Sequence, residues 1–209
     1  FIYTGSTGLK NAVKKLDKLD LVNDLADIKV PPLSEDEAKT LLQRLNLGFK
    51  QHNSDFHISE PVIDYIINKI TWRLPYYMQI IAHELFEYFD ECEETIETIT
   101  VDFILSEIVK SKSGHADYFE NWKKRLKAPL EVQEYSFVIE VLNHIAHNDH
   151  IDYAVFHDLA VKNTIEDPRY ILDVLEHDGY ISGQDHNDGQ RYGFNSFLLK
   201  QWWYINVAT

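Results

Sequence analysis

The chain has 209 residues, with 20 Lys and Arg against 34 Asp and Glu, a formal charge of −14. Its 44% hydrophobic and 26% charged residues match a folded globular protein, which excludes a disordered or fibrous chain and permits one large domain or two small ones. The acidic balance disfavours nonspecific binding to nucleic acid or anionic membranes, no apolar run approaches the ~20 residues that span a bilayer, and the single Cys92 forbids an internal disulfide and fits a reducing cytoplasm.

Residues 1–4 read as a strand running into the loop Gly5-Ser6-Thr7-Gly8. A lone strand is not a stable unit, and no initiator Met precedes it, so the chain is expected to be a C-terminal piece of a longer protein. Leu9, Val13, Leu16 and Leu19 then fall at helical spacing, and Pro31-Pro32 breaks the following stretch. Ser34 and Glu37 form a capping-box pattern for a helix carrying Ala38, Leu41, Leu42 and Leu45, stopped at Gly48. A second helix starts at Ser59-Glu60-Pro61 and presents Val62, Ile63, Ile66, Ile67 and Ile70. Thr71 to Pro75 interrupts it, and Pro75 opens a long apolar helix with Met78, Ile81, Ala82, Leu85 and Phe89. Residues 90–97 are acidic and read as a solvated connection, after which Thr100 is expected to cap a helix with Phe103, Ile104 and Ile108. Residues 116–127 read as an aromatic, basic helix, and Pro129 marks a domain boundary.

Beyond Pro129 the pattern predicts a helix over 132–147, a short one over 153–162 capped by Asp152, and a third from Asp167-Pro168 to Gly179. Residues 180–182 and 191–194 alternate like strands around Asn187-Asp188-Gly189, a hairpin signal. A last helix over about 196–205 carries Trp202 and Trp203. Three helices followed by a β-hairpin is the order of a winged helix-turn-helix domain, so the expected class is mainly α.

Phe1-Ile2-Tyr3-Thr4-Gly5-Ser6-Thr7-Gly8-Leu9 resembles the sensor 1 strand and loop of AAA-type ATPases of the signal-transducing (STAND) and archaeal-ATPase group. Pro32-Leu33-Ser34 before an Ala/Leu helix looks like the start of that family's lid. Trp72-Arg73-Leu74-Pro75-Tyr76-Tyr77-Met78-Gln79 is similar to its sensor 2 region, although Arg73 stands where the family usually has the Gly of Gly-x-Pro. Leu175-Glu176-His177-Asp178-Gly179-Tyr180-Ile181, Tyr192-Gly193-Phe194-Asn195-Ser196 and Trp202-Trp203 resemble its winged-helix end. The resemblance covers essentially the whole chain and implies three parts: a remnant of the ATPase core over 1–9, a helical lid with linker helices over 10–128, and a winged-helix domain over 129–209.

The resemblance also implies ATP and Mg²⁺ in a parent protein, with Thr4, Ser6, Arg73 and Pro75 near the nucleotide and a P-loop domain as partner. No Gly-x-x-x-x-Gly-Lys-Ser/Thr occurs here, so no catalytic residue and no bound cofactor is expected in this chain alone. Without the resemblance, Thr4 and Ser6 read as a Gly-Ser turn satisfying its own backbone, and Arg73 as a surface residue before a Pro-initiated helix.

His144, His147 and His150 are spaced by three, which makes a zinc site conceivable. His150 falls past the expected helix end and no Cys assists, so a solvated His-rich edge is the preferred reading. DNA binding is disfavoured by charge. Residues 130–209 carry four Lys or Arg against 13 Asp or Glu, a net −9, and the third helix offers Arg169 alone against Asp167, Asp173, Glu176 and Asp178. The basic run Lys123-Lys124-Arg125-Lys127 reads as a solvated helix face. The sequence thus points to a regulatory or protein-interaction fragment, with a DNA-binding module of an initiator-like ATPase as the alternative.

Overall fold

The computed structural model describes residues 30–186 and 189–208. It is mainly helical, with nine α-helices among the described residues and one small three-stranded antiparallel sheet. The described residues divide into two compact units, one of residues 30–114 together with 196–198, the other of residues 115–195 and those from Leu199 on.

The helical unit contains α1 (Glu35–Phe49), α2 (Glu60–Lys69), α3 (Pro75–Cys92) and α4 (Thr98–Ile108). The capping box expected at α1 forms: the Glu37 amide donates to Ser34 Oγ at 3.3 Å, and the Ser34 amide to Glu37 Oε2 at 2.8 Å. The Ser34 amide and the Ser34 hydroxyl, both donating to Glu37 Oε2, hold the Glu37 carboxyl below its usual range. Ala38 and Leu42 of α1, Ile63, Ile66 and Ile67 of α2, Met78, Ile81, Ala82 and Leu85 of α3, and Val101, Ile104 and Leu105 of α4 are buried. Apolar side chains recurring at three and four residues put each helix's stripe on one core. Asn46, itself buried, takes the amide of Ile58 on Oδ1 at 2.9 Å and donates to the Ile58 carbonyl at 3.1 Å. One side chain thereby replaces a ladder partner and pins the loop before α2. The start of α4 differs from the sequence expectation. Thr100 lies inside the helix, Glu97 is the cap, and the Glu97 amide donates back to Thr100 Oγ1 at 3.3 Å.

The second unit contains α5 (Ala116–Arg125), α6 (Val132–Asn148), β1 (Ile151–Asp152), α7 (Tyr153–Lys162), α8 (Pro168–His177), β2 (Ile181–His186), β3 (Gly189–Phe194) and, from Leu199 on, α9 (Phe197–Asn206). The sheet order is β1-β3-β2, with Ile151 opposite Tyr192 and Ile181 opposite Phe194. The unit starts before Pro129, where composition had put the boundary, because α5 is part of its core. Phe119 stacks on Trp202 at 5.9 Å and Trp122 meets Tyr180 edge-on at 5.1 Å. Both tryptophans of α9 are fully buried, and Trp203 Nε1 donates to Asn143 Oδ1 of α6 at 2.8 Å. Gly179, at φ 81°, makes the left-handed exit from α8 that an L side chain resists.

Tyr180 ties α5 to the strand that follows it: its buried hydroxyl donates to the Trp122 carbonyl at 2.6 Å. Tyr180→Phe keeps the ring and removes that bond. We expect a loss of about 1–2 kcal/mol in urea unfolding of the chain, against less than about 0.5 kcal/mol for the half-exposed Tyr204→Phe.

Candidate functional site

Thr4 and Ser6 lie outside the described residues. Arg73 lies between the end of α2 and the start of α3. Its Nη2 donates to Glu35 Oε1 in the first turn of α1 at 2.7 Å, and its Nε to the Ile67 carbonyl at 3.3 Å. Its own carbonyl accepts from the Leu33 amide at 2.9 Å. With only 16% of its side chain exposed, Arg73 clasps the entry of α1 to the exit of α2. Pro75 is the first residue of α3, where its missing N–H removes no helical bond.

A second polar cluster in this unit was not read from sequence. Tyr65 OH lies 2.8 Å from both carboxylate oxygens of Asp102, and Lys69 Nζ lies 3.1 Å from Asp102 Oδ1. Burial raises the Asp102 pKa, but the bonds from Tyr65 and Lys69 outweigh it and hold the carboxyl below its usual range. The residues come from α2 and α4, so no local spacing announces them.

In the second unit a cleft of about 540 Å³ lies where the N-terminus of α7, the outer face of α8 and β3 meet. Its lining includes Asp152, Tyr153, Arg169, Leu172, Asp173 and Glu176. Helical spacing explains the α8 contribution: Arg169, Asp173 and Glu176 fall on one exposed stripe, while Ile171, Val174 and Leu175 face inward. Glu176 also has a structural task, since its Oε1 accepts the Gly183 amide of β2 at 3.0 Å. Asp152 occupies the cap position of α7 but makes no side-chain cap bond. Its carboxylate instead accepts from Arg191 Nε of β3 at 2.7 Å, so the hairpin's guanidinium is already neutralised. Tyr192, on β3, has its pKa raised by burial and by Glu176, and its hydroxyl donates to Gln190 Oε1 at 2.7 Å. The cleft therefore presents an anionic rim with Arg169 as its cation.

The His-rich edge does not gather into a site. His147 Nε2 is 2.9 Å from the Ala208 carbonyl and its ring meets Tyr204 edge-on at 5.1 Å. His150 Nε2 lies 3.9 Å from Asp152 Oδ1. Among the described residues no three His, Cys, Asp or Glu side chains converge as a metal site, and no helix is long and apolar enough to cross a membrane. No family model, curated protein or solved structure matches the chain.

Two substitutions check this geometry. Arg73→Ala removes both the Glu35 pair and the bond to Ile67, and we expect about 1 kcal/mol lower stability, the largely exposed Glu35 keeping the figure modest. Arg73→Lys should recover part of it. Gly183→Ala places a methyl 3.0 Å from the Tyr192 ring, 3.1 Å from Gln190 Nε2 and 3.2 Å from Glu176 Oε1. Tyr192 is buried and Glu176 is held by the Gly183 amide, so about 1–3 kcal/mol of strain is expected, read as a lowered urea midpoint.

Proposed function

We propose that the chain is the helical-lid and winged-helix part of an AAA/STAND-type ATP-binding protein, with a regulatory or protein-interaction role. The observation that carries this reading is the topology of the second unit: α6, β1, α7, α8 and the β2–β3 hairpin, with sheet order β1-β3-β2. We read this order as that of a winged helix, with α8 taken as the recognition helix and β2–β3 as the wing. On the same reading the four helices before Gly114 would be the lid. On this reading ATP and Mg²⁺ belong to a P-loop domain outside the given sequence, and the setting is cytoplasmic.

Arg73 is not a ready phosphate ligand. Its guanidinium already serves Glu35 and the Ile67 carbonyl, and a phosphate would have to displace Glu35. No nucleotide step is therefore assigned to it. The purified chain is expected to turn over no ATP, because catalysis of phosphoryl transfer needs the phosphate-cradling loop and metal-holding carboxylate that the sequence lacks. Turnover above a mock purification would defeat the proposal.

The charge on the face of α8 favours a protein over DNA. A reader helix works by neutralising phosphates, and affinity falls with salt at a slope of about −0.9 per contact. Here α8 offers Arg169 beside Asp173 and Glu176, while Arg191 of the wing is held by Asp152. We expect duplex DNA, random or genomic, to bind no better than to a generic acidic protein at physiological salt, measured by anisotropy in a salt titration. Asp173→Lys combined with Asp185→Lys, both exposed, should gain at least about tenfold in duplex affinity at low salt. Tight binding by the unaltered chain with a steep negative slope, abolished by Arg169→Ala, would instead establish the DNA-binding module of an initiator-like ATPase.

A further inference from the structure

The helical unit carries an apolar patch that its own core does not use. Ile99 and Phe103 stand four residues apart on α4, which places them on one face, and they are 74% and 49% exposed. Tyr88 of α3 extends the patch, its ring 5.9 Å from that of Phe103, and its hydroxyl donates to Glu94 Oε2 at 2.8 Å. Single exposed apolar side chains are ordinary on any surface. Here three adjoin, two of them aromatic, on the corner where α3 turns into α4.

The charge around them is one-sided. Residues 74–109, which comprise α3, the connecting loop and α4, contain no Lys or Arg and nine Asp or Glu. Some of these carboxylates serve the fold: Glu97 caps α4, and Asp102 binds Tyr65 and Lys69. Glu87, Asp90, Glu91 and Glu93 are exposed on α3 and the loop after it.

We infer that this patch docks a cationic amphipathic helix of a partner protein, its apolar stripe on Ile99, Phe103 and Tyr88 and its Lys or Arg side chains over the carboxylates of α3 and the loop. Charge complementarity selects that occupant. An anionic membrane or nucleic acid would be repelled by the same carboxylates, and a purely apolar partner would leave them uncompensated. Two residues at a helical repeat, beside an aromatic ring, match the i, i+4 anchors by which an amphipathic helix seats on an apolar surface. The site belongs to the helical unit, and none of its residues lines the α8 cleft.

The test uses the full chain and a fluorescein-labelled synthetic helix made of Leu on one face and Lys on the other. A Lys/Ser peptide of equal length and charge is the control, and anisotropy is the readout. The Leu/Lys helix should bind at least about tenfold more tightly than the control, and Ile99→Ser with Phe103→Ser should remove that advantage. Both positions are exposed, so the double variant should keep its circular dichroism and urea midpoint. Tyr88→Ser is the second variant, expected to lose severalfold, and raising salt from about 50 to about 500 mM should weaken binding. Equal binding of the two peptides, or binding that the double variant leaves intact, would overturn the proposal. So would a dimer of the chain in sedimentation that Ile99→Ser with Phe103→Ser dissolves, because the patch would then belong to a second copy.

Discussion

The second unit depends on one buried aromatic assembly. Trp202 and Trp203 come from α9, Phe119 and Trp122 from α5, and Tyr180 from the entry to β2. Large rings give each short element enough buried area to hold its place; helices of about ten residues are marginal alone. The assembly also settles polar groups that burial would otherwise penalise. Tyr180 OH reaches the Trp122 carbonyl and Trp203 Nε1 reaches Asn143 Oδ1. Burial pushes the Tyr180 hydroxyl pKa strongly upward, so it remains a neutral donor. With Ile171, Val174 and Leu175 of α8 buried and Glu176 bonded to the Gly183 amide, the outer stripe of α8 and the hairpin have a defined relation, and the cleft follows from it.

Electrostatics sets what that cleft can receive. A carboxylate at a helix start is favourable, because it meets unsatisfied amides and the positive end of the helix dipole. The chain uses this repeatedly: Glu37 at α1, Glu97 at α4, Glu131 with Glu134 at α6, and Asp167 at α8, whose Oδ1 accepts the Tyr170 amide at 2.9 Å. Asp152 could have done the same at α7 and binds Arg191 instead. That exchange takes the hairpin's Arg191 away from any polyanion at this surface.

Local chemistry was legible and tertiary chemistry was not. The Ser34–Glu37 capping box, Pro61 and Pro75 in first turns, the Gly179 stop and the hairpin after it all follow from neighbours in sequence. The hairpin strands run longer than the alternation suggested, because Gly183 and Gln184 pair with Tyr192 and Arg191 although their residue types carry little strand signal. β1 was missed outright. Two residues cannot show a period, and Ile151–Asp152 becomes a strand only because β3 lies beside it. Phe119 and Trp122 looked like part of a linker helix because nothing near them in sequence reveals Trp202 and Tyr180. Arg73 illustrates the same limit at the site: its type and its place before Pro75 suggest an anion, and its partner proves to be a carboxylate on α1, 38 residues earlier.

The acidic excess is therefore only partly structural. Caps and clasps account for Glu37, Glu97, Asp102, Asp152, Asp167 and Glu176, each with a partner whose loss the fold would register. The carboxylates exposed along α3 and the loop that follows are of another kind. They crowd a segment without a single cation, and like charges at helical spacing repel. Self-repulsion of this sort weakens a compact state, and the exposed bonds that Asp90 accepts from Asn53 and Glu94 from Tyr88 offset little of it. Solubility asks for net charge but not for its confinement to one corner, still less to the corner that exposes Ile99 and Phe103. An apolar patch and a one-signed rim, each unfavourable to the isolated unit, become favourable together when a surface of opposite charge and matching apolar stripe covers both.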